Sequence, residues 1–307
     1  MGRLHGVVPQ NAMTKDSMRT LKRAQPHLGT LVEISVGGLE EGAANQAIDR
    51  GFAAIAEIHR LMSFHEADSD ISRLNREASA AAIEVHPHTF AVLRHAQDLA
   101  ADTDGVFDIT IASRLVTWGF LPPPNAPTPD PAAKWRDIVL EEGRVRFTRP
   151  LWIDVGGIAK GYAVDAALAA MKLAPHVQCC INAGGDLRIA GPHAESVRLR
   201  VPFPADPVPV VVLQDGSLAS SSGRENARQI EGQTVGPHVN GLTRQGAPLD
   251  TFVSVASPAC VAADALTKVV LACGEKAEPI LRKWRATAYI HDARGWRTLG
   301  EGFEAYE

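Results

Sequence analysis

The sequence predicts an α+β fold of mixed or antiparallel sheets with packed helices. Helical apolar spacing dominates the first third, short strand-like runs set off by tight turns dominate the rest, and strand–helix alternation of the doubly wound kind does not recur. Residues 29–37 alternate like a half-buried strand and end in a Gly-Gly turn. Residues 41–62 are Ala-rich with apolar side chains at helical spacing, and 87–102 read as a second helix. Pro122–Pro131 holds six prolines in ten residues, which reads as an extended surface loop, an insertion over 121–132. Beyond it, Asp137–Leu140, Arg144–Phe147 and Leu151–Val155 read as a meander and Lys160–Met171 as a helix. Short strands follow at Val177–Asn182, Leu187–Ala190, Ser196–Val201, Val208–Leu213 and Phe252–Ala256. A helix over Ala259–Cys273 and strands at Thr287–Ile290 and Arg297–Leu299 close the chain.

Composition narrows the function. The chain has 307 residues and a formal net charge of −4, against the basic excess of nucleic-acid binders. Apolar residues at 45% and charged residues at 21% are ordinary for a globular domain. No apolar stretch approaches the roughly 20 residues that span a bilayer. Four cysteines without zinc spacing read as buried, reduced thiols. Residues 1–28 lack the apolar core of a secretory signal, so a cytoplasmic address is expected. The expected organisation is a flexible segment over 1–26 and one domain over 27–307.

Five places carry possible chemistry. In Ile153-Asp-Val-Gly-Gly-Ile-Ala-Lys-Gly-Tyr-Ala-Val-Asp165 a strand-like run meets two glycines and then a helix. Free N–H groups at that helix start, with Lys160 in its first turn, would suit a phosphate; a packing turn is the other reading. Asn182-Ala-Gly-Gly-Asp186 is either a hairpin or a backbone edge facing a ligand. Asp264, Thr267 and Lys268 share one face of an otherwise apolar helix: a buried polar stripe that needs partners, or a surface Asp–Lys pair. Ser220-Ser-Ser-Gly223 and His238 could hold a phosphate or ribose, and no nucleophile elbow is present. In Asp104-Gly-Val-Phe-Asp-Ile-Thr110, Asp108 or Thr110 reads as a helix cap.

Taken in order, these pieces resemble the ApbE-like family of FAD:protein FMN transferases. The resemblance runs through His27-Leu-Gly-Thr30, Met62-Ser-Phe64, Ile71-Ser-Arg-Leu-Asn75, Asp104–Asp108, Asp154–Asp165, Asn182–Asp186, Ser221–Gly223 and Ala263-Asp-Ala-Leu266. It implies the flavin-transferase fold, FAD as donor and a magnesium ion at the pyrophosphate. It further implies transfer of FMN to a Ser or Thr hydroxyl of a partner protein, with release of AMP. Carried over, Asp264 would be the metal carboxylate, the Ala159 and Thr267 carbonyls further oxygen ligands, and His238, near the acceptor, the candidate base. Ser63, Phe64, Asn75, Asp108, Lys160, Asp165, Gly184, Gly185 and Ser222 would contact or shape the FAD site.

Two departures from the family pattern bear on mechanism. The family signature Ala-Asp-x-x-x-Thr has Lys268 at its threonine position. A protonated ammonium cannot ligate a metal, so Lys268 is expected beside Asp264 as a substitute cation, unless a slipped helix register returns Thr267 to the metal. The alternative function is then an FAD-binding protein with weak or lost transfer. The second signature reads His238-Val-Asn-Gly-Leu-Thr-Arg-Gln-Gly246, without its usual Asp-Pro. Family members are commonly exported or lipid-anchored, and no lipobox cysteine stands near the start of this sequence.

Overall fold

The computed structural model describes residues 20–200, 207–230, 232–303 and 305–306. In chain order the elements are β1 (Leu21–His27), β2 (Thr30–Gly37), α1 (Glu41–Met62), α2 (Asp70–Glu77), β3 (Ile83–Glu84), α3 (Pro87–Asp102), α4 (Ala112–Thr117), β4 (Ile138–Glu141) and β5 (Arg144–Phe147). There follow α5 (Ala159–Met171), β6 (Gln178–Ala183), β7 (Asp186–Ala190), β8 (Glu195–Arg198), β9 (Val210–Leu213), β10 (Ser217–Ser222), β11 (Arg228–Ile230) and β12 (Gln233–Val235). The chain continues with β13 (Phe252–Ser257), α6 (Cys260–Cys273), α7 (Glu278–Lys283), β14 (Thr287–Asp292), β15 (Gly295–Gly300) and β16 (Ala305–Tyr306). Eight strands form the main sheet in the order β1-β2-β6-β7-β10-β13-β14-β15, and neighbours run antiparallel.

The sheet is covered on both faces, and β13 shows why. All six of its residues are buried. Val253 and Val255 join the core beneath α1, α5 and α6, while Phe252 and Ala256 join a second core on the opposite face. That is the two-residue alternation of a strand with a layer on each side. The small sheet β16-β9-β8 supplies the second layer, through Val211 and Leu213. Among the described residues no helix is long and apolar enough to cross a membrane. The four cysteines are free thiols, Cys179 and Cys260 buried and Cys180 and Cys273 partly so.

Helices α5 and α6 hold each other at their N-terminal turns. The Asp165 carboxylate on α5 accepts the N–H groups of Cys260 at 3.0 Å and Val261 at 2.8 Å. In return Asp264 Oδ2 on α6 accepts the Gly161 N–H at 3.0 Å. Each helix thus satisfies donors that the other's first turn leaves without an intrahelical partner. Gly161 makes the approach possible, since a methyl group there would overlap the Cys260 carbonyl.

Several sequence expectations change. The flexible segment expected over 1–26 lies outside the described residues as far as Arg19, but Leu21–His27 is the edge strand β1, paired along its length with β2. Leu151–Val155 is not a strand. Its backbone bonds go elsewhere: the Ile153 N–H donates to Asn75 Oδ1 at 2.8 Å, and the Asp154 N–H to the Ile109 carbonyl at 2.9 Å. The serine run is the inner strand β10, and α2, α4, α7 and the β11–β12 hairpin were not foreseen. The proline-rich insertion carries no strand or helix.

Two substitutions test this frame. Ile34 is fully buried in the core under the helices, so Ile34→Ala should lower stability by about 2–5 kcal/mol in urea unfolding. Asp165→Ala leaves two N–H groups at the start of α6 without their charged acceptor, and should cost roughly 1–3 kcal/mol. A loss within about 0.5 kcal/mol, typical of an unimportant surface site, would show that the reciprocal capping carries no weight.

Candidate functional site

A cavity of about 570 Å³ opens where the β1–β2 turn, the β6–β7 turn and β10 meet one end of the main sheet. Leu28, Gly29 and Thr30 form one rim, and Gly184, Ser220 and Ser221 another. Gly156, Gly157, Lys160 and Lys268 line the side beneath the helices, and His238 stands on a loop across from them. The β6–β7 turn has only two residues, Gly184 at φ 65° and Gly185 at φ 105°, the left-handed pair that a tight hairpin uses. A side chain at Gly184 would run into Thr30, so the two rims are in contact.

Two buried carboxylates and two half-buried ammonium groups form the electrostatic centre. Lys160, in the first turn of α5, is ion-paired with Asp186, the first residue of β7. Lys268 is ion-paired with Oδ1 of Asp264, and its Nζ also donates to the Asp264 carbonyl at 3.1 Å. Burial would lower Lys160, but the carboxylates of Asp186 and Asp264 outweigh it and hold the ammonium charged. Burial, with the negative charge of Asp264, pushes Asp186 up to about 6, against the pull of Lys160. Burial would raise Asp264 too, but Lys268 and Lys160 together hold it below the ordinary carboxylate range. Burial first, then the charges of Lys268 and Lys160, push the His238 imidazole down to about 3.

The His238 loop closes without the Asp-Pro of the family signature. Asn240 takes over the turn, its Oδ1 accepting the N–H groups of Leu242 at 2.9 Å and Thr243 at 3.1 Å. The Ala247 N–H donates to the His238 carbonyl at 2.8 Å, and Val239 bridges Gly246. Arg244 then anchors the loop, donating to Asp108 Oδ2 and Thr110 Oγ1, both at 2.9 Å.

The remaining candidates divide by position. Asp108 lines the cavity, but its carboxylate also caps Thr110 and pairs with Arg244. Asn75 and Asp165 act on backbone: Asn75 Nδ2 donates to the Ile153 carbonyl at 3.1 Å, and Asp165 caps α6. Ser63 and Phe64 lie between α1 and α2, outside the cavity lining, where the Ser63 carbonyl accepts the Ser69 hydroxyl at 2.6 Å. Gly185 and Ser222 line a second groove beyond the β6–β7 turn. Asp264 and Thr267 are fully buried under the cavity and reach it through Lys268 and Ser221. Sequence reasoning passed over Thr30, Asp154, Ser221 and Arg228 of the lining. Thr30, Asp154 and Ser221 stood inside quoted motifs, whereas Arg228 carries no local signal. Asp186, which the sequence leaves between a hairpin residue and a ligand contact, is the partner of Lys160.

The donor set does not fit the magnesium ion that the resemblance implies. Magnesium takes oxygen ligands in near-octahedral array. Both oxygens of Asp264 are engaged, one by Lys268 and one by the Gly161 N–H. The Thr267 hydroxyl donates to the Asp264 carbonyl at 2.7 Å and, having one proton, accepts from Ser221 at 2.8 Å. The carbonyls of Ala159 and Thr267 belong to α5 and α6, where the helical N–H groups four residues on engage them. Among the described residues no group of three or more His, Cys, Asp or Glu is placed to hold a metal. Helix α6 runs unbroken from Cys260 to Cys273, so no slipped register turns Thr267 outward.

This architecture is shared with solved structures. An ApbE protein from Thermotoga maritima superposes with a TM-score of 0.80 at 23% identity, covering 94% of this chain and 97% of that one. The flavinyl transferase ApbE of Pseudomonas stutzeri gives 0.74 at 19% identity, covering 92% and 94%. Among sequence relatives, a FAD:protein FMN transferase of Rhodobacter capsulatus is 31% identical over 64% of this chain, and the match spans 40% of that protein's length. One of Salmonella typhimurium is 26% identical over 91% of this chain and 85% of its own length. A model of the ApbE family matches residues 28–290, the span that holds every residue of the cavity, and the chain therefore belongs to the ApbE family.

Proposed function

We propose that the chain binds FAD and transfers its FMN half to a Ser or Thr hydroxyl of a partner protein, releasing AMP. One observation carries this reading. Both Gly-Gly turns, the ammonium groups of Lys160 and Lys268, and His238 converge on one cavity. Glycine lets a ligand approach the backbone, and the ammonium groups suit a pyrophosphate. The names of the sequence relatives support the same substrate.

In the proposed reaction the acceptor oxygen attacks the phosphorus on the FMN side of the pyrophosphate. A new P–O bond forms, the P–O bond to AMP breaks, and the hydroxyl proton passes to a base. The work of the protein is positioning and charge stabilisation, as expected for phosphoryl transfer. Lys160 and Lys268 stand where negative charge builds on the phosphate oxygens. His238 is neutral at pH 7, the form that accepts a proton, and its burial, followed by the charges of Lys268 and Lys160, makes it a reluctant base.

The protein incubated with FAD and a candidate acceptor domain should yield a fluorescent flavin adduct on a denaturing gel and an equivalent of AMP. FAD binding with neither product, using an acceptor that another flavin transferase modifies, would overturn transfer and leave a flavin-binding protein. His238→Ala should lower the transfer rate by about 10²–10⁴-fold with FAD affinity little changed. A pH test follows from the same residue. An unfolded histidine near 6.5 takes a proton before the folded one near 3, so stability drops as pH falls between those values. From pH 7 to pH 5 the native protein should lose up to about 2 kcal/mol more than His238→Gln in urea unfolding.

A further inference from the structure

We propose that Lys268 is a built-in cation: its ammonium group holds the place beside Asp264 that a divalent metal would occupy, so that this chain binds a pyrophosphate without a metal. The inference rests on the FAD reading above. Lys268 and Asp264 are four residues apart on α6, which stacks one over the other on a single helix face. The methylene stem of Lys268 passes the Gly156-Gly157 turn, where even a methyl group on Gly157 would come within 3.6 Å of Cε. The stem is thereby guided to the cavity that Lys268 lines.

An ammonium nitrogen carries three N–H donors. Two are spent on Asp264, on Oδ1 and on the main-chain carbonyl. The third remains for a phosphate oxygen in the cavity. A divalent ion arriving at Asp264 would have to displace this ammonium and leave it unpaired beside a doubly charged neighbour, in surroundings where Asp264 is wholly buried. Nor does a neighbouring hydroxyl supply a ligand, because Thr267 is turned toward Ser221 and the Asp264 carbonyl. Lys160 is separately tied to Asp186, so each ammonium is balanced by its own carboxylate and the two place donors at the incoming anion.

The test compares the native protein with Lys268→Thr and Lys268→Met. Two readouts are used: Mn²⁺ binding followed by electron paramagnetic resonance, and FAD affinity from flavin fluorescence in EDTA and in excess Mg²⁺. The native protein should show no Mn²⁺ site tighter than about millimolar, and an FAD affinity that agrees within about twofold in EDTA and Mg²⁺. Lys268→Thr should gain one Mn²⁺ site, and its FAD affinity should rise about tenfold or more when Mg²⁺ replaces EDTA. Lys268→Met should gain no Mn²⁺ site and bind FAD more weakly in both media. A micromolar Mn²⁺ site in the native protein, or a tenfold loss of its FAD affinity in EDTA, overturns the proposal. These native measurements decide even if a variant fails to fold. Absence of FAD binding by the native protein would instead overturn the FAD reading, and the Mn²⁺ titrations would still decide what occupies the position beside Asp264.

Discussion

Asp264 is the residue on which the site depends. Its carboxylate is wholly buried, yet each oxygen has a donor: the Gly161 N–H from one helix start and the ammonium of Lys268 from its own helix. A carboxylate in such surroundings persists only with such partners. Because one partner is α5 backbone, the carboxylate fixes the distance between α5 and α6. Because the other is a side chain that lines the cavity, it also fixes where positive charge meets a ligand. Asp165, reaching in the opposite direction, completes the frame.

The consequence is a cavity whose cations are placed before any ligand arrives. Lys160 and Lys268 are each held by a buried carboxylate, so little side-chain entropy is left to lose when an anion binds. The same carboxylates temper the positive field, which keeps the two lysines from becoming an uncompensated pair of like charges. Preorganisation of this kind is what phosphate chemistry asks of a protein.

How much of this was legible in the sequence follows from the range of each interaction. The two Gly-Gly turns, the long helices and the Asp264–Lys268 spacing are local, and local pattern revealed them. Strand β1 was missed because Leu21-Lys-Arg-Ala-Gln-Pro-His27 has no clean apolar alternation; pairing with β2 defines it. The strand expected at Leu151–Val155 failed for a related reason. Its residues are apolar enough for a sheet, but the Asn75 side chain, 78 positions away, takes both backbone groups of Ile153. Asp165 and Asn75 were read as ligand residues and bind main chain, with partners that no local window contains. The loop of His238 looked defective without its Asp-Pro until Asn240 and Arg244 were seen to brace it.

The β6–β7 turn has an implication for how the molecule is made. Gly184 rests on Thr30 near the start of the described chain, while the cavity it borders is completed by Lys268, far toward the other end. During synthesis the early rim therefore waits for the late helix. A ribosome-bound chain that stops short of α6 presents the glycines and Lys160 without Asp264 and Lys268, so only half of the charged centre is in place.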